Sequence, residues 1–467
     1  MVNGLESNIP VDLSETIVAQ ATPPGRGALS IVRLSGPEAH SIARAALDRW
    51  PEEARSVAVS NVRDASAMHI DQSVVIRYDA PASFTGEDLV EIITHGGLVV
   101  ATTVVAALIA RGARVALPGE FTRRAVFNGK LDVLQAEAIG DLVDARSRAA
   151  QSVALRQLDG GLSRRVLALR DELIGLEALI AYDIDFPEED DGPIAPARIL
   201  AAADGIVTAL ERLLATSRTG ELVREGALVV LAGAPNVGKS SLFNALVGEA
   251  RAIVTDIPGT TRDAIEAVID TATIPLRLVD TAGIRDALDP VERLGVEVSE
   301  SYVARASVVL VCADSEETVV HMSRALAGRL TSPVIVVRTK ADIAAVTAAE
   351  LARDGGLFEA AAALAVSAET GDGLGPLLST IAHVVSEGAS QQDVDAPLLT
   401  QERHRYAIAR ALDEVRAFRA LWVEGEIPAP VAAVHLRETV RILEDLIGSV
   451  DVEDVLDEVF RRFCVGK

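Results

Sequence analysis

Gly233-Ala234-Pro235-Asn236-Val237-Gly238-Lys239-Ser240-Ser241 follows an apolar run from Ala227 to Ala232 and leads into Leu242-Phe243-Asn244-Ala245-Leu246-Val247. That order predicts a buried strand, a tight glycine turn and a helix. It is the setting a phosphate-binding loop requires. Gly233 and Gly238 are expected to let the backbone turn its N–H groups inward around phosphate oxygens, and the helix N-terminus behind them favours negative charge. Lys239 is then placed to reach the β- and γ-phosphates, and the Ser240 hydroxyl to ligate Mg²⁺. The candidate contacts run from Asn236, Val237 and Gly238 through Lys239, Ser240 and Ser241. An inert glycine turn is the competing reading, and the flanking strand and helix speak against it.

The chain has 467 residues, more than one core usually supports, so two or three domains are expected. Lys and Arg number 44 against 68 Asp and Glu, a net charge of −24. This balance argues against broad nonspecific binding to nucleic acid, because phosphate backbones demand clustered cations. Any RNA contact must be local or shared with a partner. The two cysteines, Cys312 and Cys464, are too few for a disulfide framework and fit a reducing compartment. Cys312 lies in the apolar run 307–313 and reads as a small buried hydrophobe. No basic start with an apolar core opens the sequence, and no uncharged apolar run approaches the ~20 residues a bilayer needs. A cytoplasmic protein without membrane attachment is expected.

Residues 1–130 alternate short β-rich and helical runs. Ile17–Ala21, Leu29–Leu34, Val74–Tyr78, Val90–Ile93 and Arg114–Leu117 read as strands, Ala39–Leu47 and Leu98–Ala110 as helices. Loops are expected at 22–27, 83–88 and 118–122. Residues 131–225 read as the first part of a helical domain. There Leu162, Val166, Leu169, Leu173, Leu176 and Ile180 alternate spacings of four and three, so all six fall on one stripe. The acidic run from Asp185 to Asp191, broken by Pro187, lacks His or Cys and reads as a solvated loop rather than a metal site. Residues 226–387 carry an α/β unit with strands at Leu276–Val279, Val308–Val311, Val334–Val337 and Ala363–Val366, the pattern of a mostly parallel sheet. A linker is expected from Ser386 to Pro397. Residues 388–467 read as the second part of the helical domain, with faces at Ile408, Leu412, Val415, Phe418 and Trp422, and at Val440, Leu443, Leu446 and Ile447. The fold class is thus an N-terminal α+β domain, a discontinuous helical domain and an inserted P-loop α/β domain.

Further motifs follow the glycine loop in order. Gly259-Thr260-Thr261-Arg262-Asp263 supplies hydroxyls where a switch segment senses Mg²⁺ and the γ-phosphate. Asp280-Thr281-Ala282-Gly283 follows a strand, so its carboxylate can hold a metal-bound water while Gly283 lets the backbone approach the γ-phosphate. In Thr339-Lys340-Ala341-Asp342, the aspartate can accept hydrogen bonds from guanine N1 and N2, a donor pair adenine does not present. Ser367-Ala368 would close over the base. The competing reading of Asp342 is a helix N-cap before Ile343.

These four motifs resemble a translation-factor-class GTPase domain. With Pro23-Pro24-Gly25-Arg26-Gly27, Phe84-Thr85-Gly86-Glu87-Asp88, Pro118-Gly119-Glu120-Phe121, Asp185-Phe186-Pro187 and the terminal Phe463-Cys464-Val465-Gly466-Lys467, the chain resembles the MnmE (TrmE) family of tRNA-modification GTPases over essentially its whole length. The resemblance implies a GTPase activated by K⁺ and by dimerisation of its nucleotide domains. Asn236, Thr255, Thr260 and the backbone of Ile257 match the family's potassium ligands, in a loop that also holds Asp256, Pro258 and Gly259. Ser240 and Thr261 fall to Mg²⁺. Lys239 and Asp280 serve the phosphates and the metal, and Glu292 matches the residue that orients the attacking water. Arg33, Glu91, Lys130 and Lys467 match contacts to 5-formyl- or 5,10-methylene-tetrahydrofolate, with Cys464 beside the last. The resemblance further implies a homodimer held through N-terminal domains, and a flavoprotein partner, MnmG (GidA), with which an aminomethyl-type group is installed on the wobble uridine of certain tRNAs. Two departures stand out: Thr339 replaces the usual Asn, removing an amide that would tie the base-binding strand to the phosphate loop, and Pro258 stiffens the potassium loop. The alternatives are a regulatory switch GTPase acting in ribosome assembly and an ATPase with a coincidental Asp342.

Overall fold

The computed structural model describes residues 14–185, 195–249, 265–271, 274–280, 302–387, 397–424, 429–448 and 466. The chain divides into two compact units, one of residues 1–140 with 444–467 and one of residues 141–443.

The first unit is built on a six-stranded sheet. Its strands are β1 (Ile17–Gln20), β2 (Leu29–Ser35), β3 (Val57–Arg63), β4 (His69–Tyr78), β5 (Leu89–His95) and β6 (Arg114–Val115), in the order β3-β4-β5-β2-β1-β6. All neighbours are antiparallel except β1 and β6. Val32, Leu34, Val90 and Ile92 point into a core closed by α1 (Ala39–Ala46) and α2 (Val100–Ile109). The alternate residues on these strands, Arg33 and Glu91 among them, therefore face away from that core. β3 is absent from the strands expected from sequence. It is an edge strand with Val57 and Val59 exposed and Ser60 buried, so no simple in–out alternation of apolar residues marks it.

The expected loop at 118–122 instead launches α3 (Glu120–Phe127). Gly119, at φ 67°, takes the left-handed turn in front of it. Glu120 is buried in its first turn, where the helix dipole favours a carboxylate, and accepts hydrogen bonds from Arg114 at 2.7 and 2.8 Å and from the Leu117 N–H at 2.8 Å. Helix α4 (Val133–Asp144) follows.

The second unit combines helices with a second sheet. The helices α5 (Arg148–Leu158), α6 (Gly161–Asp185), α7 (Pro196–Ala215) and α8 (Ser217–Glu225) precede the sheet, and α13 (Glu402–Glu424) and α14 (Ala429–Ile447), whose residues from Glu444 on are counted in the first unit, follow it. All six residues of the predicted α6 stripe are buried. On the later helices Ile408, Leu412, Val415, Phe418, Leu443, Leu446 and Ile447 are buried, while Trp422 and Val440 are half-buried. Residues separated by most of the unit's length are joined directly: the Gln157 amide of α5 donates to the Leu398 carbonyl at 2.9 Å, and the Leu399 N–H donates to the Thr216 hydroxyl at 3.1 Å.

The sheet comprises β7 (Ala227–Gly233), β8 (Ile265–Ile269), β9 (Leu276–Asp280), β10 (Val308–Ala313), β11 (Val334–Arg338) and β12 (Ala362–Ala365), in the order β12-β11-β10-β7-β9-β8. Every pairing is parallel except that of β8 with β9. Helices α9 (Lys239–Glu249), α10 (Glu316–Leu326), α11 (Ala348–Gly356) and α12 (Leu374–Glu387) accompany it. Val229, Leu231, Leu310 and Cys312 pack with Leu242 and Phe243 of α9 and Leu377 of α12, whereas Val230, Val309, Val311 and Val336 pack with Met322 of α10. Both faces are covered, which is why these strands read as unbroken apolar runs. Ser386 and Glu387, expected in the linker, close α12. The rest of that linker, to residue 396, and the acidic loop after Asp185 lie outside the described residues.

Candidate functional site

The carboxyl ends of β7, β9, β10, β11 and β12 lie along one edge of the parallel sheet, where ligands of open α/β sheets bind. The glycine loop follows β7, and Lys239 opens α9. Gly238 has φ 97° and Asn236 φ 61°, so the loop turns twice through the left-handed region. The structure revises the role of Gly233. A Cβ there would lie 2.5 Å from the Cys312 carbonyl, so glycine is required for the close passage of β10 rather than for its dihedrals. Lys239 is buried, and its ammonium donates to the Gly233 and Ala234 carbonyls at 3.0 and 2.8 Å. Asn236, Ser240 and Ser241 are exposed, while Val237 is buried beneath them.

The replacement of Asn by Thr339 does not cost the link that was expected to be lost. The Thr339 hydroxyl donates to the Val237 carbonyl at 2.5 Å. Lys340 adds a second link, its ammonium donating to the Asn236 carbonyl at 2.9 Å and to Asp314 Oδ2 at 3.0 Å. Asp342 and Ser367 meet at the end of the sheet, the Ser367 hydroxyl donating to Asp342 Oδ1 at 2.7 Å, with half-buried Ala368 beside them. Asp342 is not a helix cap. A turn follows it, and α11 is capped by Thr347 with Glu350 completing a capping box.

Asp280 is buried at the end of β9, in register with Leu231. Cys312 lies fully buried between strands, and burial pushes its thiol up to about 12, with Asp280 adding to the rise and Lys239 opposing it. It is the inert packing residue its sequence context predicts. Thr255, Asp256, Ile257, Pro258, Gly259, Thr260, Thr261, Thr281, Ala282, Gly283, Glu292, Cys464 and Lys467 lie outside the described residues.

In the first unit, Arg33 and Glu91 are cross-strand partners on β2 and β5. The guanidinium donates to Glu91 Oε1 from Nη2 at 2.7 Å and from Nε at 3.0 Å. It lies 5.3 Å from the Phe84 ring centre and 5.7 Å from that of Phe121, so two aromatic rings flank the cation. The Tyr78 hydroxyl donates to Glu91 Oε2 at 3.3 Å. Lys130 is exposed and donates to the Pro81 carbonyl at 3.1 Å, on the loop that carries Phe84. Gly466 is buried against Gln20 and Ala21, which brings the end of the chain to the first strand; a Cβ there would meet the Gln20 carbonyl at 2.3 Å. Sequence reasoning did not assign Tyr78, Asp314 or the ring of Phe121 to a site. No spacing within the chain marks them, since strand register, sheet order and the packing of α3 bring them to their partners.

Among the described residues, His40, Asp79 and Asp88 are the one group of three or more His, Cys, Asp or Glu side chains within common reach of an ion. Arg77 already donates to both Asp79 oxygens, at 2.7 and 2.9 Å, so this cluster is an ion-pair network at the base of the Phe84 loop. No helix of the described residues is long and apolar enough to cross a membrane.

Comparison with known proteins bears on the whole chain. The family model of the GTP-binding protein TrmE N-terminus matches residues 16–130, and that of the MnmE helical domain matches residues 133–464. The tRNA modification GTPase MnmE of Azoarcus sp. (strain BH72) is 43% identical over 456 residues, 97% of this chain and 98% of that protein. Its counterpart from Neisseria meningitidis serogroup C (strain 053442) is 40% identical over 466 residues, 99% of this chain and 100% of that protein. Among solved structures, the G domain of the T. maritima FeoB iron transporter is matched at 25% identity over 34% of this chain and 98% of that one, with a TM-score of 0.27. With two family models that succeed one another along the sequence and relatives matched almost from end to end, the chain belongs to the MnmE family of tRNA modification GTPases.

Proposed function

We propose that this chain is a K⁺-activated GTPase which, with the flavoprotein MnmG and a tetrahydrofolate one-carbon unit, installs an aminomethyl-type group at C5 of the wobble uridine in certain tRNAs, working as a homodimer. The observation that carries the nucleotide part is the meeting, on one sheet edge, of Lys239, Asp280 and the Asp342–Ser367 pair. The ammonium of Lys239 donates to two backbone carbonyls and would exchange them for the β- and γ-phosphates of GTP, offsetting their charge. Asp342 accepts from guanine N1 and N2, and Ser367 holds its carboxylate in place. Mg²⁺, with Ser240 and Thr261 as ligands and Asp280 holding its water, would neutralise charge on the phosphates.

The donor chemistry also fits K⁺. Asn236 is exposed on the loop and brings an uncharged amide oxygen, with Thr255, Thr260 and the Ile257 carbonyl as further oxygens of the same kind. A monovalent cation there would supply the positive charge an arginine provides in other GTPases. Glu292 orients the attacking water. The one-carbon part rests on Arg33, Glu91 and Lys130, with Lys467. A half-buried carboxylate beside a cation flanked by aromatic rings suits a planar ring with N–H donors, and the exposed Lys130 suits an anionic tail. Bound there, the folate supplies the carbon, while this chain's residues bind and orient it.

GTP hydrolysis by the full-length chain, measured in K⁺ and then with Na⁺ in its place, tests the reading. A rate more than about tenfold higher in K⁺ is expected, the scale of removing preorganised charge from such a site. Equal rates would remove the cation from the mechanism.

A further inference from the structure

Two side chains from the segment after β11 grip the phosphate loop by its carbonyls: Lys340 on Asn236 and Thr339 on Val237. Both peptides are trans, and in a trans peptide the C=O and N–H point in opposite directions. Holding these two carbonyls from one side therefore turns the N–H groups of Val237 and Gly238 to the other, as a phosphate cradle requires. Asn236 is also the residue at φ 61°, a conformation that tolerates asparagine but needs support from its surroundings.

That support leads to a residue outside every motif. Lys340 has four rotatable bonds, and its ammonium is partly open to water. A single backbone carbonyl is a weak anchor for such a group. Asp314, directly after β10, supplies the second anchor at 3.0 Å. Its own carboxylate is fixed, since the Thr318 hydroxyl donates to Oδ1 at 3.1 Å and Ser315 caps α10 next to it. The Lys340 ammonium in turn holds the Asp314 carboxyl below the usual carboxylate range. The chain Thr318–Asp314–Lys340–Asn236 thus runs from a helix N-terminus to the residue proposed as a potassium ligand.

The geometry points to Asp314 as a positioning residue that, through Lys340, sets the cation-binding conformation of Asn236 and joins base recognition to cation binding. The inference rests on the reading of Asn236 as a potassium ligand. It is tested with the full-length chain carrying Asp314→Asn or Asp314→Ser, and Asp314→Glu as the charge-conserving variant. Three quantities are measured: the K⁺ concentration for half-maximal GTP hydrolysis, the rate at which a fluorescent GDP analogue dissociates, and the melting temperature without nucleotide. For the Asn and Ser variants, half-activation is expected at about tenfold higher K⁺ and nucleotide release about tenfold faster, as for loss of one charge-assisted hydrogen bond. The Glu variant is expected to recover most of both. A lower melting temperature with half-activation and release unchanged would show a merely structural role and overturn the proposal. If the unaltered chain does not distinguish K⁺ from Na⁺, the potassium reading falls and this inference with it; if it does and the variants match it, only the inference falls.

Discussion

On the proposed reading, base specificity turns on Asp342, and its surroundings suit that role. Ser367 donates to one carboxylate oxygen from the neighbouring strand end, which orients the group. Replacing it with Asn keeps the shape but turns one acceptor into a donor, which opposes the guanine N2 amino group and suits the C2 carbonyl of xanthine. Asp342→Asn is expected to weaken GTP binding about 100-fold or more, the loss of two charge-assisted hydrogen bonds, and to shift preference to xanthosine triphosphate in equilibrium competition. Retained GTP preference would show that Asp342 does not read the base. Thr339 and Gly233 show how far residue identity alone carries. The threonine was expected to forfeit a tie to the phosphate loop, yet its hydroxyl makes one, because the register of β11 beside β10 brings it to the Val237 carbonyl. The glycine was expected to serve the turn and serves strand packing instead.

At the scale of elements, helical periodicity proved readable wherever one face alone is buried. The α6 stripe is the clearest case: its six residues are all buried, and Glu172 one position before Leu173 is exposed. Leu169→Ala is expected to cost about 2–5 kcal/mol through lost burial and a residual cavity. Glu172→Ala should stay within about 0.5 kcal/mol. Chemical denaturation of the two variants checks the contrast, and equal effects would mean that the stripe is not the core-facing side. Strand β8 was not among the expected strands, and two further elements escaped prediction for physical reasons. Strand β3 owes its existence to pairing with β4 and exposes Val57 and Val59, so its own pattern does not announce it. Helix α3 begins after a left-handed Gly119 and is anchored by the ion pair of buried Glu120 with half-buried Arg114, a contact that a Pro-Gly sequence hides behind the look of a turn.

Over the whole molecule, the residues assigned to nucleotide chemistry fall in the unit of residues 141–443, whereas Arg33, Glu91 and Lys130 fall in the other. The one-carbon reading is therefore testable by ligand binding alone. The full-length chain is expected to bind 5-formyltetrahydrofolate, and Glu91→Gln to weaken that binding about tenfold or more by removing a charged acceptor. Titration calorimetry that finds no binding by the unaltered chain would sink the reading. The sequence by itself determined what depends on contiguous residues: the glycine loop between strand and helix, the order of the nucleotide motifs, the apolar stripes and the buried character of the parallel strands. Each is a matter of local backbone freedom or of period along one element, and needs no partner. The tertiary structure alone decided what depends on distant residues meeting. Strand register placed Arg33 against Glu91, with Tyr78 and the rings of Phe84 and Phe121 around them. Sheet order set Cys312 against Gly233, Thr339 against Val237 and Asp314 against Lys340. Such contacts form between groups up to about a hundred positions apart, whose approach is fixed by the packing of whole elements and leaves no mark on the spacing of the residues.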